Sequence, residues 1–323
     1  MSAPSIEARA RAFLTERQRL GFQVSESASF LVGFARDMDQ PGEAAPLTVA
    51  RMAAWAQRRA RHRATRATWA RRLKRLRPFA RWLQQFDPRT EVPEEPIFGP
   101  VPGRSAPHIY REEEIVDLLA AAGRLSPARG LRPATFQTLF GLMASTGLRL
   151  CEALGLRDRD VDLTAGTLTV RQSKFAKSRA LPLHPSVVIA LAKYRRIRAG
   201  FVGVTPHMRF FVGSRGRGLG QPLNARTVDR VFDELRRALG WRNRGAHHAP
   251  RIHDMRHSFA VRRMMLWYAQ GIDVDQAMLS LSTYLGHAKI SNTYWYLTAV
   301  PELMNFAAGK FERFAQAPGA AHA

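Results

Sequence analysis

Between Asp87 and His108 the chain reads DPRTEVPEEPIFGPVPGRSAPH, a stretch crowded with proline and glycine and without apolar periodicity. Proline fixes φ and removes a backbone donor, so neither a helix nor a central strand can be carried through such a run. The chain must fold on either side of it, as two units joined by a linker. At 323 residues it is long enough to give each unit a core. The expected division is a first domain over residues 1–90, a linker over 91–108, a second domain over 109–300 and a tail over 301–323.

Before the linker the apolar residues recur at helical spacing. Trp69, Leu73, Leu76, Phe79 and Leu83 mark one buried face of a helix, which Pro78 is expected to kink or to split into two segments. SASFLVGFARDM and TVARMAAWAQRRA read as further helices. After the linker REEEIVDLLAAAG and ATFQTLFGLMAST are helical, and then the period changes. GTLTVRQ alternates like a strand, SRALPL can return antiparallel to it, and RFFV is a possible short strand. PSVVIALAKYRRIR, ARTVDRVFDELRRALG and RIHDMRHSFAVRRMMLWYAQG restore helical spacing. The fold class is therefore mainly α with a small antiparallel β-sheet, an α+β arrangement with a helical N-terminal domain.

Charge narrows the partner. Fifty Lys and Arg against 26 Asp and Glu leave a net charge of +24. A phosphate lattice rewards such an excess, because each neutralised phosphate releases counterions. An anionic membrane would want a basic helix with an opposing apolar face or a lipid anchor, and neither is visible. A preference for Arg over Lys explains their ratio but not the missing carboxylates. From Ala44 through Phe86 there is no Asp or Glu, whereas a solvated helix face normally mixes signs. Arg58, Arg59, Arg63, Arg66, Arg71, Arg72, Lys74 and Arg75 are the expected DNA contacts there, joined by Lys177 and Arg179 from the second domain. The lone Cys151 excludes an intramolecular disulfide and a multi-cysteine metal site. No run approaches the roughly 18 apolar residues of a membrane span, so a cytoplasmic, nucleoid-associated protein without membrane partners is expected.

Four pieces of the second domain carry groups suited to phosphate chemistry. Arg149 follows a Thr-Gly turn in TGLRLCEALGL, and Lys174 sits between the two candidate strands in RQSKFAKSRALPL. His253 and Arg256 lie three apart in HDMRHSF, and Tyr296 lies nine beyond His287 in LGHAKISNTYWY. His253 and His257 have a spacing that can ligate zinc, but Asp254 stands where a zinc protease keeps its Glu, and Arg256 would repel a cation. No metal or other cofactor is expected. Together the pieces can transfer a phosphodiester without one: two guanidinia clamp the non-bridging oxygens, histidines donate to them, a lysine protonates the departing oxygen and a phenol attacks.

In these residues the chain resembles the tyrosine recombinase (phage integrase) family. The family's signature is an Arg after a Thr-Gly-Leu turn, a Lys in a β-hairpin, a His-x-x-Arg box, a Leu-Gly-His box and a Tyr nine residues beyond that His. Arg149, Lys174, His253 with Arg256, Leu285-Gly286-His287 and Tyr296 fill these places in order. The resemblance implies a C-shaped DNA clamp of a core-binding and a catalytic domain that breaks and rejoins DNA through a 3′-phosphotyrosine, with neither metal nor ATP. It implies Tyr296 as nucleophile, Lys174 as general acid, and Arg149, His253, Arg256 and His287 on the phosphate. Double-stranded DNA, a homo-tetramer in the synapse and other recombinases of the same element are the implied partners, with the tail AVPELMNFAAGKFERF available to dock on a neighbouring protomer or on its own domain.

Two departures stand out. The hairpin turn reads Ser173-Lys174-Phe175 where the family has Gly-Lys-Gly, which leaves Lys177 as an alternative acid, and WYAQGIDVDQAMLSLSTYLGH is long for its place between boxes. The Arg-rich first domain and that long segment favour a mobile-element transposase or integrase. A regulatory protein that binds without cutting and a type IB topoisomerase are the alternatives.

Overall fold

The computed structural model of the chain describes residues 4–22, 24–39, 45–58, 65–94, 96–101, 103–171, 178–299 and 303. It divides into two compact units, Met1–Arg104 and Ser105–Ala323.

Among the described residues the first unit is built from four helices, α1 (Ile6–Arg19), α2 (Ser25–Met38), α3 (Val49–Arg58) and α4 (Arg66–Gln84). Their apolar faces meet in one core, with Phe13, Phe34, Met52, Trp55, Leu76 and Phe79 at its centre. Orphan donors at the start of α1 are met twice. Ser5 Oγ accepts from the Ala8 N–H, and the Asp39 carboxylate, just past α2, accepts from the N–H groups of Ile6 and Glu7 at 2.8 and 2.7 Å. Pro78 does not begin a new segment, contrary to one of the two sequence expectations. Helix α4 runs through it, because Leu73, Leu76, Phe79 and Leu83 bury one continuous face on both sides while Pro78 itself stays exposed. The segment after α4 lies along this unit. Val92 and Phe98 pack on the core, and Arg77 donates to the carbonyls of Pro93 and Glu94 at 2.6 and 2.7 Å.

The second unit begins with α5 (Glu112–Gly123) and α6 (Leu131–Thr146), packed against each other, followed by the short α7 (Leu150–Gly155). A three-stranded antiparallel sheet follows, in the order β1 (Val161–Asp162), β2 (Thr167–Val170), β3 (Arg179–Pro182). The β2–β3 register pairs Thr167 with Pro182 and Val170 with Arg179, which turns Leu168 and Leu181 together into the core. RFFV forms no strand. Arg209 and Val212 make single bridges to Arg157 and Pro222, and Phe210 and Phe211 are buried between them. Helices α8 (Pro185–Ala199), α9 (Ala225–Ala238), α10 (Asp254–Ala269), α11 (Val274–Leu285) and α12 (Ser291–Ala299) complete the described α-helices. The long segment before the Leu-Gly-His run is thus the end of α10, a turn through Gly271 at φ 70°, and α11, which Asp273 caps by accepting from the Asp275 N–H at 2.9 Å. Helices α10 to α12 bury a second apolar cluster, with Val261, Met264, Met278, Leu285 and Tyr296 among its members.

Candidate active site

Two helix ends build the floor of the site. Helix α6 closes on Gly147 at φ 63° and α11 on Gly286 at φ 66°, left-handed conformations that terminate a helix and release its last carbonyls. Neither position has room for a side chain. A Cβ on Gly147 would lie 2.6 Å from Phe259 Cδ1, and one on Gly286 would lie 2.7 Å from Arg179 Nη1. The released carbonyls carry the partial negative charge of a helix C-terminus, which favours a cation beside them. Arg256 donates from Nη1 to the Gly147 carbonyl at 2.7 Å and from Nη2 to the Leu285 carbonyl at 2.6 Å. Arg149 donates from Nη2 to the Gly286 carbonyl at 3.2 Å. Leu285 and Gly286 are consecutive, so two guanidinia from distant parts of the chain are held within one peptide of each other.

Glu152 balances part of this charge. Its side chain is only 4% exposed; it accepts from Arg149 Nη1 at 2.8 Å and from the Arg149 backbone N–H at 3.0 Å, closing the first turn of α7. Arg179, the first residue of β3, binds the same carboxylate through Nη1 and Nη2 at 3.1 and 3.0 Å and donates from Nε to the Tyr284 carbonyl at 2.8 Å. Burial raises the Glu152 pKa, but the hydrogen bonds and charges of Arg179 and Arg149 outweigh it and hold the carboxyl below its ordinary range. Burial, and then the neighbouring Arg149, lower Arg256 to about 10, which leaves it charged at neutral pH. Three guanidinia therefore face one carboxylate, and the excess is positive. An anion with oxygens spaced for guanidinium forks suits such a group.

Imidazoles and a phenol border it. His253 precedes α10; desolvation, then the charges of Arg256 and Arg251, push its pKa down to about 4 although Asp254 pulls the other way. Its ring keeps an edge open to solvent and is neutral at pH 7, so it can donate to an anion without itself being one of the clamp's charges. His287, immediately after the Gly286 cap, is hydrogen-bonded through Nδ1 to Thr293 Oγ1 on α12 at 2.7 Å. Tyr296 is 2% exposed, with its hydroxyl 2.8 Å from His257 Nδ1, and it lies close enough to Arg256 for a phenolate there to interact with that guanidinium. Tyr294 goes elsewhere on α12: its hydroxyl donates to Asp275 at 3.4 Å, and desolvation together with that carboxylate raises its pKa, making its phenolate harder to form.

Of the sequence-predicted site residues, Arg149, His253, Arg256, His287 and Tyr296 thus come from α7, α10, the end of α11 and α12. Lys174 and Lys177 lie outside the described residues, as do Arg59, Arg63 and all of the tail except Leu303. Arg179, expected to touch DNA, is instead bound to Glu152 with its side chain 11% exposed. Spacing could not reveal this, because its partners are 27 and 105 residues away. In the first unit Arg58, Arg66, Arg71 and Lys74 are exposed. Arg72 is half-buried and donates to the Ala56 carbonyl at 2.8 Å, and Arg75 lies over the Phe30 ring at 4.0 Å, so both also hold this unit together. Glu152 and His257 were missed as functional groups. The three-residue step from Arg149 to Glu152, a helix-capping interval, was the available signal for the first.

Comparison with known proteins identifies the family of the chain. The phage integrase family profile matches residues 109–302. The chain is 38% identical over 305 residues to "Putative integrase/recombinase y4rB" of Sinorhizobium fredii, covering 93% of this chain and 95% of that one. It is 32% identical over 231 residues to the tyrosine recombinase XerC of Nitrobacter winogradskyi, covering 68% and 64% of the two. Among solved structures, the Tn1549 transposon integrase in complex with transposon right end DNA superposes with a TM-score of 0.62 at 16% identity, over 95% of this chain and 99% of that one. The XerH recombinase bound to palindromic difH substrate gives 0.61 at 18% identity, over 96% and 86%. Both are likenesses of fold. The family profile and the near full-length relative together place the chain in the phage integrase family of tyrosine recombinases, enzymes that break and rejoin DNA strands.

Proposed function

We propose that Tyr296 attacks a scissile phosphate of double-stranded DNA and holds the strand as a 3′-phosphotyrosine until a 5′-hydroxyl from another strand reseals it. Arg149 and Arg256 clamp the non-bridging oxygens, and neutral His253 together with His287 donates to them. Lys174, or failing it Lys177, protonates the departing 5′-oxygen. Each role is filled by a side chain, with neither a metal ion nor ATP as reactant. The observation that carries this reading is the pairing of Arg149 and Arg256 on the consecutive carbonyls of Gly286 and Leu285. Two charged forks so close, with the Tyr296 phenol near Arg256, support a reading in which one tetrahedral anion is bound beside its nucleophile.

The exposed Arg58, Arg66, Arg71 and Lys74 of the first unit supply sequence-independent backbone contacts, with Arg59, Arg63 and Lys177 as further candidates. The synapse is a homo-tetramer, which other recombinases of the same element can join, and the setting is a mobile element acting in the cytoplasm on nucleoid DNA. In support of the setting, y4rB is named as an integrase or recombinase and the Tn1549 protein as a transposon integrase.

Suicide duplexes made from the flanks of the chain's own gene test the chemistry. Tyr296→Phe should bind them as the wild type does and form no covalent adduct. An adduct in that variant would transfer the nucleophile to another residue, Tyr294 first.

A further inference from the structure

His257 draws notice in the sequence only as the i, i+4 neighbour of His253. In the fold its Nδ1 lies 2.8 Å from the hydroxyl of Tyr296, a side chain almost wholly withdrawn from solvent. Ring contacts fix the imidazole. His253 meets it nearly perpendicular at a centroid distance of 4.9 Å, and Trp295 and Tyr296 approach it at 5.9 and 5.5 Å. The charged and titratable groups facing it are His253, Arg251 and Arg256 from α10 and its start, and His287 from the end of α11. Burial first, then these neighbours, keep its pKa far below that of a free imidazole. The resting ring is neutral, and with its proton on Nε2 it presents a lone pair at Nδ1 to the phenol.

We propose that His257 is the proton acceptor for Tyr296, holding the phenol at rest and taking up its proton as the phosphate is attacked. This rests on Tyr296 being the nucleophile. In the step, the Oη–H bond breaks and its proton passes to Nδ1 while the Oη–P bond forms. The P–O5′ bond breaks with its electron pair leaving on O5′, which is protonated by the general acid. Resealing runs the same transfers backwards, so Nδ1 returns the proton to Oη. Burial, and then the charges of Arg251 and Arg256, make His257 a weak base in the free chain. The arriving phosphate adds negative charge beside it, offsets those cations and stabilises the imidazolium only when substrate is in place. A base weak at rest and strengthened by substrate keeps the phenol un-ionised until DNA is bound.

The test uses the full chain and the same suicide duplexes, with His257→Phe, His257→Asn and Tyr296→Phe compared with the wild type. Asparagine keeps an acceptor oxygen near the place of Nδ1 but cannot take up a proton. Both His257 variants should bind DNA normally and form adduct about 10²- to 10⁴-fold more slowly. An Asn variant at the wild-type rate would overturn the proposal and reduce His257 to a hydrogen-bonding support. If Tyr296→Phe still forms adduct, the nucleophile reading itself has failed, a result distinct from any His257 outcome. Should either His257 variant fold poorly by circular dichroism, nitrogen-15 NMR of the wild-type imidazole decides. An unprotonated Nδ1 and a protonated Nε2 are expected, and a proton on Nδ1 in the free chain would exclude it as acceptor.

Discussion

Among the described residues Glu152 is the one acidic group on which the Arg149 and Arg179 side chains converge, and its own side chain is nearly buried. Removing its charge leaves two guanidinia without their partner, and breaking a buried pair in this way costs on the order of 3 kcal/mol. Glu152→Gln should therefore lower stability to urea by about that amount near pH 7. The sign of its pH dependence follows from the depressed carboxyl pKa. Its contribution is fully present above the ordinary value of 4.5 and is lost as pH falls through the lower folded value. The wild type and Glu152→Gln should thus unfold at converging urea concentrations when pH is taken well below 4.5, and a gap that widened in acid would contradict this assignment. His253 makes a second residue-level prediction. Its ring should titrate by NMR with a midpoint near 4, and a midpoint near 6.5 would mean that neither desolvation nor the charges of Arg256 and Arg251 act on it.

At the scale of elements, the site depends on two helices ending where they do. Gly147 and Gly286 terminate α6 and α11 in the left-handed region and leave no space for a Cβ. Gly147→Ala meets the rigid Phe259 ring and should destabilise the chain by about 1–3 kcal/mol in urea unfolding. Gly286→Ala meets the Arg179 guanidinium, a side-chain end that can move only by leaving Glu152. Its larger effect should fall on adduct formation, because Arg179 and Arg149 share the Glu152 carboxylate, and moving Arg179 disturbs the guanidinium beside it. These ends were legible as the Thr-Gly-Leu and Leu-Gly-His runs, since a glycine after a helical pattern signals a stop. Their purpose was not, because the arginine on each carbonyl comes from more than 25 residues away. Pro78 shows the opposite limit. Local sequence argued for a kink or a break in α4, and the buried face overrode the break. An interior proline costs a helix about 3 kcal/mol or more, so Pro78→Ala should raise the thermal stability of the first unit, read by calorimetry.

For the whole molecule, the +24 charge governs affinity more than it governs specificity. Binding should weaken steeply with salt, and each phosphate contact removed should reduce the slope of log K against log salt by about 0.9. Arg71→Ala, at an exposed position, should change that slope with little loss of stability. Arg72→Ala, which loses the bond to the Ala56 carbonyl, should instead destabilise the first unit. Composition made the class of partner legible, and the ordered motifs made the family legible. What they could not separate was which basic residues face outward and which, like Arg179 and Arg72, are spent on the fold. That division depends on tertiary neighbours.

The central claim is that one phenol of the pair on α12 bonds to DNA. Tyr296 lies against His257 within reach of the Arg256 charge, while Tyr294 is turned toward Asp275. The most direct measurement is to trap the wild-type chain on a suicide duplex, digest the complex, and identify the nucleotide-bearing peptide by mass spectrometry. The account predicts a 3′-linked nucleotide on Tyr296. A nucleotide on Tyr294, or on any residue outside α12, would contradict it.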